Sequence, residues 1–259
     1  MGKGTIITVT SRKGGVGKTT TTLNLAGCFS ILKQKVLIID LDLDSGGIAL
    51  SLNIDCKKNI YDLVDDLKNN RYKSFDEYIC SYNNEINVLS APKDPREAKK
   101  IESDYISKII DYSKYKYDII LIDTTHIINS YNLAALDASD LNLYLITNDP
   151  VDLKNIKSMI KIYSETGENN YKIILNESRD TGKDYFSDFD IKNIIGTNID
   201  YRIPKSFYIK DIDRYVLDGE ILTLNKKINS CHKSDIEHLM KIAKDILKKG
   251  GKISEKEDA

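Results

Sequence analysis

Short, uniformly apolar runs alternate along the chain with longer stretches whose apolar side chains recur every three or four residues. The runs are 5–10 (TIITVT), 36–40 (VLIID), 86–90 (INVLS), 118–123 (DIILID), 141–147 (LNLYLIT) and 172–176 (KIILN). Runs that are apolar throughout, without alternation, suit strands covered on both faces. A seventh, weaker strand is expected over 198–203. Helical patterns fall between them, over 20–32, 97–113, 153–164, 185–195 and 234–248. Strand alternating with helix predicts right-handed crossovers and a mostly parallel sheet with helices on both faces, a single α/β domain. No internal repeat and no Pro/Ser-rich linker divides the chain, so residues 1–249 are expected to form one unit. Residues 61–84 are polar and read as an inserted helical segment. The last ten, GGKISEKEDA, read as a flexible tail.

Composition narrows the partners. The 259 residues include 38 Lys plus Arg against 39 Asp plus Glu, a net charge of −1, with 41% hydrophobic and 30% charged residues. That is ordinary globular composition. It excludes a histone-like polycation, and a chain so balanced needs a local basic patch to hold nucleic acid. The four cysteines, Cys28, Cys56, Cys80 and Cys231, are widely scattered with no CxxC or Cys/His zinc spacing; reduced thiols are the expectation. No secretory leader pattern opens the chain, and no apolar run approaches the roughly 20 residues of a membrane-spanning helix. A cytoplasmic protein is expected.

The decisive segment is 11–20, SRKGGVGKTT, placed after a strand and before a helix. In that context backbone N–H groups wrap phosphates and the helix N-terminus adds its positive dipole end. The candidate nucleotide contacts are Gly14, Gly15, Val16, Gly17, Lys18, Thr19 and Thr20. Gly14, Gly15 and Gly17 are expected to let the backbone approach closely and take positive φ. Lys18 is placed for the β- and γ-phosphates, and the Thr19 hydroxyl for Mg²⁺. Asp40 ends the second apolar run and opens DLDLD. A carboxylate at a strand C-terminus beside the loop suits Mg²⁺ or water. Asp123 closes DIILID, an apolar strand delivering one carboxylate to Mg²⁺, the Walker B pattern.

The loop departs from ordinary GxxxxGK[ST] spacing. Arg12 stands where the first glycine belongs, and KGGVGKT carries a second lysine, Lys13, before the paired glycines. This resembles the deviant Walker A loop of the ParA/MinD family, and the resemblance covers nearly the whole chain. It implies a Mg²⁺-dependent ATPase that sandwiches ATP in a homodimer, with Lys13 crossing to the partner's phosphates. It also implies that Asp40 lies near the metal and that Asp42 orients the attacking water, with Asp44 a weaker candidate. By the same resemblance Asn176 and Pro204 line the adenine pocket, although both are also common turn chemistry. Family members usually have Thr-Pro-Pro in the second switch; here Thr124-Thr125-His126 stands there. His126 is a candidate γ-phosphate or partner sensor, though a plain surface histidine is the simpler reading.

Within the family, runs 40–52 and 132–140 look like the CpaE/TadZ branch, which positions pilus-assembly machinery. The expected output is therefore spatial positioning of a cargo, helped by a protein partner that localises or stimulates the ATPase. A DNA-partition ATPase and a nucleotide-binding scaffold without appreciable turnover are the alternatives. The end, LKKGGKISEKEDA, lacks the amphipathic membrane helix of MinD. Residues 226–252 hold eight lysines against Asp235, Glu237 and Asp245. That excess is read first as the solvated face of the last helix, so nucleic acid is disfavoured. No iron–sulfur cysteine pair and no C-terminal tyrosine cluster appears.

Overall fold

The computed structural model describes residues 3–167, 169–179 and 185–249. The expected tail, 250–259, lies outside them. In chain order the elements are β1 (Thr5–Thr10), α1 (Lys18–Ile31), β2 (Val36–Leu41), α2 (Gly47–Ser51), α3 (Ile60–Lys68), β3 (Cys80–Ser81) and β4 (Ile86–Leu89). There follow α4 (Pro95–Ala98), α5 (Ser103–Ser113), β5 (Ile119–Thr124), α6 (Ser130–Ala138), β6 (Leu141–Ile146), α7 (Pro150–Thr166) and β7 (Tyr171–Asn176). The described elements close with α8 (Asp188–Ile195), β8 (Tyr201–Ile203), α9 (Ile212–Leu217), α10 (Lys226–Cys231) and α11 (Lys233–Lys249). The eight strands form one sheet in the order β3-β4-β2-β5-β1-β6-β7-β8. Every pairing is parallel except that of β3 with β4.

The uniformly apolar runs are explained by burial on both faces. In β2, Val36 and Ile38 enter the core under α1 and α11, while Leu37, Ile39 and Leu41 enter the opposite core with α3 and α5. In β5, Ile119 and Leu121 take the first face, Ile120 and Ile122 the second. Strand periodicity of two sends alternate side chains to opposite layers, and here both layers are helical. The outer half of the sheet is covered by α7 and α8 through Leu153, Ile156, Ile191 and Ile195. The result is the single α/β domain expected.

Three expectations are corrected. The helix over 97–113 is two helices. Asp94 caps α4 by accepting from the Arg96 N–H with Pro95 in the first turn, and residues 99–102 then turn so that Ile101 is buried before α5 begins. The polar segment 61–84 is not merely inserted. Asn59 and Asp62 form a capping box for α3, and Ile60, Leu63, Val64, Phe75 and Tyr78 are buried parts of the core. Its end contributes β3, only two residues long, as an antiparallel edge. The reduced-thiol expectation fails for one pair: Cys56 and Cys80, 24 residues apart, are joined in a disulfide with a Cα–Cα distance of 5.6 Å. The pairing of β3 with β4 carries Cys80 to the loop that follows α2. Cys28 is buried and Cys231 exposed, both free. Among the described residues no helix is long and apolar enough to cross a membrane.

Candidate functional site

The loop between β1 and α1 sits at the C-terminal edge of the sheet, flanked by the ends of β2, β5 and β7. Two of its three glycines have the left-handed backbone expected: Gly15 at φ 75° and Gly17 at φ 97°. Gly17 is constrained twice, because a Cβ there would fall 2.7 Å from Asn176 Nδ2. Gly14, contrary to expectation, is not in the positive-φ region. Its open side faces the His126 ring, and a Cβ would meet Nδ1 at 3.5 Å.

Lys18 lies at the start of α1 and is half-buried. Its Nζ donates to Ser11 Oγ at 3.1 Å, and Ser11 Oγ donates to the Lys13 carbonyl at 2.7 Å. Burial depresses its pKa below the ordinary lysine value, against the opposing pull of Asp123, Asp42 and Asp152. Thr19 Oγ1 donates to Asp123 Oδ2 at 2.7 Å, and Thr22 Oγ1 to Asp123 Oδ1 at 3.1 Å. Two of the expected metal ligands, Thr19 and Asp123, are therefore already together. Asp40 stands directly beside Asp123, its register partner in the β2–β5 ladder.

Both carboxylates are closed off from solvent, at 0% and 1% exposure. Burial pushes the Asp123 pKa up to about 6 despite the two hydroxyls and Lys18. Burial first, then Asp123, holds the Asp40 pKa well above the usual carboxylate range. Asp40 Oδ1 accepts the Asp42 N–H at 3.1 Å and Oδ2 the Ile48 N–H at 3.0 Å. It thus ties both ends of the 42–48 loop to β2. Asp42 itself is half-buried and within electrostatic reach of Lys18. Asp44 is exposed and lines a separate depression with Lys93 and Cys56.

Lys13 is half-exposed and pairs within the chain with Asp149, at 3.0 Å. Asp149 caps α7 through the Val151 and Asp152 N–H groups. Asn176 is buried and fully engaged: Nδ2 donates to the Val16 carbonyl at 2.8 Å, while Oδ1 accepts from the Ser178 N–H and hydroxyl. Thr20, Asn176 and Ile203 line a cavity of about 50 Å³ with Phe207 and Tyr208. Pro204 follows Ile203 and begins the turn Lys205–Phe207. Lys13, Gly14, Gly15, Val16 and Asn176 line an adjoining cleft of about 300 Å³. A larger depression of about 690 Å³ between α8, β8 and α11 shares no residue with the loop, and its Arg202 is already paired with Glu177 and Asp188.

Sequence reasoning missed Ser11, Thr22, Arg179 and Asp152. Arg179 Nε donates to the Gly15 carbonyl at 3.2 Å from the end of β7. Asp152 is buried and accepts from Thr147 N–H and Oγ1. Nothing local marks either residue, since both act across the sheet edge.

The residues fit a magnesium–nucleotide complex on grounds of this geometry alone. Two buried carboxylates side by side, with Lys18 near them, resist ionisation without a cation, and a divalent cation would favour their charged form. The left-handed glycines and the uncapped N-terminus of α1 have the form of a phosphate cradle.

The AAA domain family model matches residues 4–175. A putative septum site-determining protein MinD of Emiliania huxleyi is 26% identical over 228 residues, covering 86% of this chain and 82% of that one. The sporulation initiation inhibitor protein Soj of Bacillus subtilis (strain 168) is 32% identical over 150 residues, 53% of this chain and 56% of its own. The fold is that of the septum site-determining protein MinD complexed with Mg-ADP from Pyrococcus horikoshii OT3. That structure superposes with a TM-score of 0.78 at 20% identity, over 95% of this chain and 97% of that one. A two-lysine phosphate loop on this sheet, the matched family model and these relatives together place the chain in the AAA-domain family, among the ParA/MinD ATPases.

Proposed function

We propose that the chain is a Mg²⁺-dependent ATPase whose nucleotide state switches it between a monomer and an ATP-sandwich homodimer, and that this switch positions a cellular cargo. The observation that carries the reading is the Lys18–Thr19–Asp123–Asp40 constellation at the mouth of α1.

The loop amides and Lys18 bind the phosphates. Thr19 and Asp123, with Asp40 beside them, would hold Mg²⁺, which supplies charge neutralisation at the β- and γ-oxygens. Asp42, tethered to Asp40 through its own N–H, orients the attacking water. Lys13 leaves Asp149 and reaches the partner's phosphates; a half-exposed pair of that kind contributes about 1 kcal/mol or less, so its release costs little. Asn176 and Pro204 border the base.

The relatives reported above are by name a septum site-determining protein and a sporulation initiation inhibitor protein. Septum-site determination by name supports spatial positioning more directly than the pilus-type assignment that runs 40–52 and 132–140 suggest; the cytoplasmic location and a protein partner belong to the proposal. A second reading, a nucleotide-bound scaffold without appreciable turnover, is favoured by Thr125 and His126 standing where the family has prolines.

Phosphate release and ATP titration decide between them. Lys18→Ala is expected to lose ATP affinity. Asp42→Ala is expected to keep ATP, accumulate the dimer and slow turnover about 10²-fold or more, since an orienting group is removed and no phosphate contact is lost. Wild-type protein that binds ATP without releasing phosphate establishes the scaffold. Wild-type protein that binds no nucleotide overturns both readings.

A further inference from the structure

His126 stands in the loop after β5, and the loop around it is held at several points. Thr124 Oγ1 donates to the Val9 carbonyl at 2.9 Å. The buried Thr125 hydroxyl accepts the Ile127 N–H at 2.9 Å. Asn132 Nδ2 donates to the Ile127 carbonyl at 2.7 Å, and Asn129 caps α6. Residue 126 is therefore the apex of a turn pinned on both sides, and its side chain is directed outward. It is exposed, yet one side of the ring rests against the phosphate loop. The imidazole lies over Gly14, with Nδ1 and Cε1 3.5 and 3.6 Å from where a Cβ would be.

Gly14 belongs to the loop that the nucleotide-site reading above assigns to the phosphates. The Lys18 ammonium rests on Ser11, whose hydroxyl is bound to the Lys13 carbonyl, so the cation sits beneath residues 11–13. On the nucleotide-site reading above, the phosphates that Lys18 would neutralise run along this loop, whose other flank carries the Thr19–Asp123 pair. The imidazole meets the loop at Gly14, whereas Asn176, the candidate base contact, meets it at Gly17.

Building on the nucleotide-site reading above, we propose that His126 is the side chain that reads the terminal phosphate: its ring N–H donates to a γ-phosphate oxygen, so that the site distinguishes a nucleoside triphosphate from a diphosphate. Proline at this position has no side-chain donor, so the departure from the family pattern adds a contact. Hydrogen bonds to a charged acceptor are among the stronger ones in proteins, which sets the scale of discrimination at about tenfold or more.

Calorimetric titration of the full chain with Mg²⁺ and either a non-hydrolysable ATP analogue or ADP tests this. His126→Ala is expected to weaken the triphosphate about tenfold and to leave ADP within about twofold. His126→Gln, which retains an N–H donor, recovers most of the loss. The comparison is repeated in a Lys13→Ala background, so that a phosphate contact is separated from an effect on dimerisation; the discrimination persists there. Equal weakening of both nucleotides, or no change in either, overturns the proposal and leaves the nucleotide site standing. Wild-type protein that binds neither nucleotide removes both.

Discussion

Asp40 and Asp123 are neighbours on adjacent parallel strands, and both are sealed from water. Between the ordinary carboxylate pKa of 3.8 and about 6, folded Asp123 holds a proton that the unfolded chain has released. Stability from this group is therefore complete below about pH 4 and is lost as the pH rises through 6. Asp40, raised for the same reason, acts in the same direction. At pH 7.5 the nucleotide-free protein carries a penalty of about 3 kcal/mol from Asp123, two pKa units at about 1.4 kcal/mol each. Asp123→Asn is expected to raise the melting temperature by several degrees at pH 7.5 and to change it little near pH 4. Melting curves of metal-free protein across that range check this; a gain independent of pH contradicts it. Lys13 poses the complementary case. Its pairing with Asp149 is half-exposed, so Lys13→Ala leaves the fold intact. A lysine desolvated against a partner's phosphates is worth far more. The variant is expected to bind ATP nearly normally yet remain monomeric by light scattering with ATP and Mg²⁺.

Among the elements, the loop from Asp42 through α2 to Cys56 links the candidate catalytic carboxylates to the edge of the sheet. One end is tied to β2 by Asp40, which accepts from the Asp42 and Ile48 N–H groups. The other is tied to β3 by the Cys56–Cys80 bond. Closing a loop of this length in the unfolded chain is worth about 3 kcal/mol in the chain-entropy model. Cys56→Ser is expected to lower the denaturant midpoint of the oxidised protein by a corresponding amount and to leave the reduced protein nearly unchanged. Thiol counting under denaturing, non-reducing conditions should find two free cysteines, Cys28 and Cys231. Four free thiols in protein kept under oxidising conditions contradict the pairing. The α4–α5 break belongs to this scale as well. Apolar spacing runs through 97–113, yet burying Ile101 turns the chain out of the helix.

Over the whole molecule, charge is nearly balanced, and the question is where the imbalance is displayed. The last helix buries Ile236, Leu239, Ile242, Ala243, Ile246 and Leu247 against the sheet and α1. Its lysines consequently lie on the outer side. Asp235, counted in the sequence against those lysines, is turned inward instead, bonded to Ser206 and to His232. The surface excess is thus larger than composition alone implies. Even so, Glu237 and Asp245 interrupt it, and arginine, the better phosphate fork, is absent from 226–252. The expected result is no appreciable binding of duplex DNA by the ATP-loaded protein at physiological salt, read by fluorescence anisotropy. ATP-dependent binding at micromolar affinity there, falling with salt at a slope of about −0.9 per phosphate neutralised, identifies a partition ATPase instead.

Much of this protein was legible in its sequence because the information is local. A phosphate loop needs glycines, a lysine and a hydroxyl within ten consecutive residues, between a strand and a helix, and 11–20 supplies them in order. A strand buried on both faces needs an unbroken apolar run, so the six strongest strands could be placed to within about two residues. Asp40 and Asp123 were found because they end such runs. Only the tertiary structure could decide contacts whose partners are far apart in sequence. A two-residue strand has no pattern to read, yet its pairing with β4 brings Cys80 to Cys56. Asp152 and Arg179 reach the site from β6–α7 and β7 through sheet order, and Asp235 faces inward because of where α11 lands. His126 looks like a surface residue in the sequence and is exposed in the structure. That its ring covers Gly14, 112 positions earlier, follows from β5 lying beside β1.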